Sequence, residues 1–89
     1  MTTSTSSFAI LRRANVMSQT GYSRSTIYLR IAQGLFPKPV LLGPRAVGWP
    51  ASEVAALNAA RIAGLSDEQI RALVLKLQAA RQTVNPASE

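Results

Sequence analysis

The fold turns on Thr20-Gly21-Tyr22-Ser23-Arg24-Ser25-Thr26-Ile27-Tyr28-Leu29-Arg30-Ile31. Before it, Arg13 to Thr20 reads as a short helix with Val16 facing inward, and Gly21 interrupts that helix. Glycine supplies the positive φ that a tight turn between two helices needs. Ser23 is a good N-cap for a second helix, because its hydroxyl accepts a bond from an otherwise orphan backbone N–H. That helix is expected from Arg24 to Gln33, with Ile27 and Ile31 four apart on one face. Gly34 suits its C-terminus, and Pro37 and Pro39 prevent it from continuing.

Downstream, Val40-Leu41-Leu42 and Ala46-Val47-Gly48-Trp49 are short apolar runs joined by Gly43-Pro44-Arg45, the pattern of a β-hairpin. Pro50 suits the first turn of a third helix that runs to about Ala63, with Val54 and Leu57 inward, and Gly64 ends it. Ser66-Asp67-Glu68-Gln69 matches a capping box. It opens a last helix to about Gln82, whose Ile70, Leu73, Val74 and Leu77 form a stripe at i, i+3, i+4 and i+7. Upstream, Phe8 to Leu11 reads either as a short strand or as an apolar lead-in. The expected fold class is mainly α with a small β-hairpin wing. A winged helix-turn-helix occupies residues 10–63 and a C-terminal amphipathic helix residues 64–82, with flexible tails at 1–9 and 83–89.

Composition narrows the function. The 89 residues fit one domain and leave little room for a deep catalytic cavity. There is no cysteine and no histidine, so thiol nucleophiles, thiolate zinc sites and the commonest general base are missing. Only Glu53, Asp67, Glu68 and Glu89 are acidic, and the adjacent Asp67 and Glu68 fall at a helix start, where acids favour the dipole. Neither an enzyme nor a cofactor is expected. The net charge of +6 is carried by residues 1–52, which hold Arg12, Arg13, Arg24, Arg30, Lys38 and Arg45 and no acid. A polyanion would therefore meet the first half of the chain. No stretch approaches the ~18–20 apolar residues of a membrane span. An acid-free, arginine-containing N-terminus is also compatible with a transit peptide, but here the same residues fit an ordered motif. A cytoplasmic protein of the bacterial nucleoid is expected.

Helix, glycine turn, capped helix and hairpin is the order of a winged helix-turn-helix, whose second helix presents its N-terminal residues to base edges in the major groove. Those residues are Ser23, Arg24, Ser25, Thr26 and Tyr28. Arginine bonds guanine O6 and N7 bidentately, and serine and threonine bond phosphates or bases. Arg45 would sit at the wing tip, Lys38 at its approach, and Arg12 and Arg13 as backbone clamps or merely exposed groups. Ser23 is in the first place a cap, Tyr28 is read equally as a core aromatic with a surface hydroxyl, and Trp49 is expected to plug the core under the wing.

The blocks Thr20 to Tyr28, Gly34-Leu35-Phe36-Pro37-Lys38-Pro39-Val40, Val47-Gly48-Trp49 and Ser52-Glu53-Val54 resemble the AlpA family over roughly Leu11 to Arg61. The family comprises small regulators of phages and mobile elements with a MerR-like winged helix-turn-helix. The resemblance implies double-stranded DNA as partner. The role implied is that of an excisionase (recombination directionality factor) that binds and bends attachment-site DNA beside a tyrosine or serine integrase, or of a transcriptional regulator of an integrase or prophage promoter. This chain departs from the family pattern after the Ile27-Tyr28 pair, where Leu29 precedes Arg30; Leu29 is then an apolar contact to a thymine methyl, and the direction of Arg30 is open. The helix after Gly64 lies beyond the resemblance. Its stripe of Ile70, Leu73, Val74 and Leu77 is expected to mediate self-association along DNA, the alternative being that it completes the monomer core. Two other classes remain: a protein-binding adaptor, disfavoured by the acid-free first half, and an RNA-binding module, disfavoured by the few, core-like aromatics.

Overall fold

Gly21 adopts φ 79° and its N–H bonds Met17 O at 2.9 Å, so the turn expected from the sequence is formed by the one residue type that takes this conformation without strain. The computed structural model describes residues 9–83; of the tails expected at 1–9 and 83–89, all but Ala9 and Thr83 lie outside the described residues. The order is β1 (Ile10–Arg12), α1 (Arg13–Thr20), α2 (Arg24–Ala32), β2 (Val40–Gly43), β3 (Ala46–Pro50), α3 (Ala51–Ile62) and α4 (Asp67–Ala80), closed by a 3₁₀ turn at Arg81–Thr83. This is a mainly helical fold with a small antiparallel sheet, arranged as a winged helix-turn-helix.

The local signals act where the sequence places them. Ser23 Oγ accepts from Thr26 N–H at 3.2 Å at the start of α2, and Ser66 and Gln69 form a complete capping box at the start of α4. After α2 the N–H of Gly34 bonds Ile31 O and that of Leu35 bonds Arg30 O. After α3 the same pair recurs from Gly64 to Arg61 O and from Leu65 to Ala60 O, so both helices end in a Schellman motif.

The wing differs from the expected hairpin. Phe8 to Leu11 was open between strand and lead-in, and Ile10–Arg12 proves to be a third strand, giving the sheet order β1-β3-β2. Leu11 lies opposite Trp49 and Arg12 opposite Gly48; Val40 meets Gly48 from the other side, and the register shifts between Leu41 and Gly43. Pro50, expected inside the first helical turn, instead ends β3 opposite Ile10 and caps α3, because Ala51 N–H is taken by Ala9 O at 2.8 Å.

One core joins all four helices and the sheet. Val16, Ile27, Leu35, Phe36, Trp49, Val54, Leu57, Ala60, Ile70 and Val74 are buried together. Trp49 is fully buried under the sheet, with its indole N–H donating to Pro37 O at 2.9 Å, as its amphipathic character requires. The stripe on α4 is therefore spent inside the monomer: Ile70 and Val74 are buried and Leu73 and Leu77 pack against the same core. Of the two readings of these four residues, the packing fits completion of the monomer core. They cover apolar area that α1 to α3 leave open, and a neighbour has no access to Ile70 or Val74.

Candidate nucleic-acid interface

The site is built on α2. Ile27 is buried and Ile31 packs against the core, so the helix turns Arg24, Ser25, Tyr28, Leu29 and Ala32 outward. These positions follow i, i+1, i+4, i+5 and i+8, a single face at helical period. The exposed end of that face is the helix N-terminus, where the orphan N–H groups and the dipole favour an anion.

Beside this face the structure brings four arginines together. Arg12 and Arg13 at the start of α1, Arg24 at the start of α2 and Arg45 on the β2–β3 turn line one open concavity of about 440 Å³, floored by Ala14, Met17 and Val47. No carboxylate lines it. Four cationic residues, from β1, α1, α2 and the β2–β3 turn, thus gather around one open space, and like charges brought together in this way favour an anion there. Planar, five-donor arginine is the side chain suited to phosphate and to guanine edges.

The remaining expected residues are placed as follows. Ser23 Oγ is occupied as the cap and also donates to Thr26 Oγ1 at 2.9 Å, with Ser25 Oγ 3.3 Å away, so the three hydroxyls form a local group at the helix start. Tyr28 is half turned to the surface, 38% exposed, with its ring edge-on to Trp49 at 6.5 Å between centroids. The ring is thus seated against Trp49 while part of the side chain stays open to solvent.

Two residues stand elsewhere. Arg30 is half-buried and lies over the Tyr22 ring at 5.6 Å, with its Nε buried and without a hydrogen-bond partner, so it braces the inter-helix turn instead of joining the outward face. Leu29 takes the exposed place beside it, 56% exposed. Lys38 is exposed but lies outside the arginine concavity. Its backbone is held by α4 and the turn after it, the N–H donating to Gln78 Oε1 at 2.8 Å and the carbonyl accepting from Arg81 Nη2 at 2.7 Å.

Sequence reading missed the residues that hold α2 and the following loop from behind. Arg71 Nε donates to Gln33 O at 2.8 Å, at the C-terminal end of α2. Arg71, Gln78 and Arg81 sit off the apolar stripe of α4 and read as ordinary solvated positions; nothing in their spacing marks them as struts.

Residues 9–62 match the family described as "Prophage CP4-57 regulatory protein (AlpA)". The chain is also similar to "Uncharacterized protein ORF88" of Enterobacteria phage P4, with 54% identity over 54 residues. The aligned part is 61% of this chain and 61% of that relative, so the chain spans about three fifths of the relative's length. No solved structure matches. No described helix is long and apolar enough to cross a membrane.

Proposed function

The chain belongs to the AlpA family of prophage regulatory proteins, and on that premise we propose that it is a sequence-specific regulator that binds double-stranded DNA. In this reading α2 lies in the major groove with Ser23, Arg24, Ser25, Thr26 and Tyr28 at the base edges and adjacent phosphates. Arg12, Arg13 and Arg45 take phosphates on either side. The single observation that carries it is the acid-free concavity where these three arginines meet Arg24 next to the outward face of α2.

The test is a salt titration. Each phosphate contact contributes roughly −0.9 to the slope of log K against log salt, so the three arginine–phosphate contacts give a slope of about −3. A flat profile overturns DNA binding and leaves the adaptor reading.

The narrower role we propose is that of an excisionase, or recombination directionality factor, acting beside an integrase. It rests on the family likeness. Regulation of a prophage or integrase promoter would use the same surface. Footprinting on the DNA flanking the gene separates the two: protected direct repeats beside an attachment site fit an excisionase, and one palindrome over a promoter fits a regulator dimer.

A further inference from the structure

The outward face of α2 has an unusual composition for a surface meant to read bases. Between Arg24 and Ala32 its exposed residues are Arg24, Ser25, Tyr28, Leu29 and Ala32. Arg24 alone is charged, and it stands at the first residue of the helix. The face holds no asparagine or glutamine, the side chains that bond adenine bidentately in the major groove. Its middle is Leu29, 56% exposed. One turn before it lies Ser25 and nearly one turn after it Ala32, both exposed. Leu29 contributes little to the core, which α2 serves through Ile27 and Ile31.

An exposed leucine at the centre of such a face has one apolar counterpart among the base edges of the major groove, the C5-methyl group of thymine. We infer that Leu29 is a specificity-determining residue that recognises a thymine through that methyl. The inference rests on the DNA-binding reading above and extends it. The hydroxyl and arginine groups at the start of α2 supply the polar contacts, and A·T recognition falls to apolar contact on the thymine side. Arg30, the neighbouring cation, is withdrawn onto Tyr22 and leaves this part of the face without a charge that would have to be desolvated there.

The experiment uses the full chain. Duplexes bound by the wild type are selected from a randomised pool, and each thymine of a bound duplex is then replaced in turn by deoxyuridine, which keeps the base pair and removes the methyl. Binding is measured for the wild type and for Leu29→Ala. Alanine is the best helix former and the site is exposed, so the variant keeps the fold, which circular dichroism verifies. The expected result is one position where uracil weakens the wild type roughly fourfold, the effect of one buried methyl-sized group, and leaves the variant unchanged. Uracil penalties that are equal in both proteins at every position overturn the inference while leaving DNA binding intact. A pool with no enriched duplex overturns the DNA-binding reading, and this inference with it.

Discussion

Arg81 grips Glu53 with two parallel bonds, Nε to Oε2 at 2.8 Å and Nη2 to Oε1 at 2.7 Å. Glu53 stands in the first turn of α3 and is 5% exposed, and Arg81 is the residue after α4. The same Nη2 reaches Lys38 O, so one guanidinium joins the far end of α4 to the start of α3 and to the loop before β2. With Arg71 on Gln33 O, the last helix is fastened to the unit that carries the outward face of α2.

Arg81→Ala should therefore destabilise the whole domain. Breaking a buried pair costs roughly 3–5 kcal/mol because the remaining charge is left unpaired, and the low end applies here. The Arg81 side chain is still 24% exposed against 6% for Glu53. Glu53→Gln should cost less, because the arginine left behind reaches water. Urea unfolding of both variants is the check. Equal stability of Arg81→Ala and the wild type would show that the pair holds nothing.

Ending the chain after Gly64 should unfold it. Ile70 and Val74 together account for about 3–6 kcal/mol of burial, comparable to the total stability of a small domain. A cooperative thermal melt within a few degrees of the full chain would show instead that the winged unit closes without α4.

Gly48→Ala should loosen the sheet. A Cβ there would lie 2.5 Å from Ile10 Cγ2 and 3.0 Å from both Leu11 O and Leu42 Cδ1. Ile10 can rotate, but Leu11 O is backbone of the paired strand, so β1 must move away from β3. Overpacking of this kind costs about 1–3 kcal/mol. The expected readout is a lower Tm with the wing amides of residues 10–12 exchanging faster; an unchanged Tm would contradict the packing described.

Arg24→Ala should relax base preference, whereas Arg45→Ala should weaken binding to all sequences alike. A base contact contributes ~1–3 kcal/mol of discrimination, and a backbone contact contributes affinity without sequence information. Affinities for a selected and a scrambled duplex distinguish them. If Arg24→Ala loses equally on both, Arg24 contacts backbone and the base-reading role passes to other residues of α2.

What the sequence determined by itself is local. Gly21, the Ser23 cap, the Ser66 to Gln69 capping box and the glycines after α2 and α3 each act within about four residues, so their consequences follow from neighbours in the chain. The 3.6-residue spacing of Ile70, Leu73, Val74 and Leu77 likewise determined that one face of α4 is covered. It carried no information about what covers it, because a stripe satisfied by the chain's own core and one satisfied by a second molecule have the same period. Only the tertiary structure decided for the core. The same holds for β1, whose three residues are too few to show an alternation and become a strand through pairing with β3. Arg30 and Leu29, adjacent and both plausible at a groove, were separated by the position of Tyr22, which offers its ring to one and leaves the other in water. The clustering of Arg12, Arg13, Arg24 and Arg45 is non-local in the same way: charge along the chain is a sum, and its convergence on one concavity depends on how α1, α2 and the wing pack around Trp49.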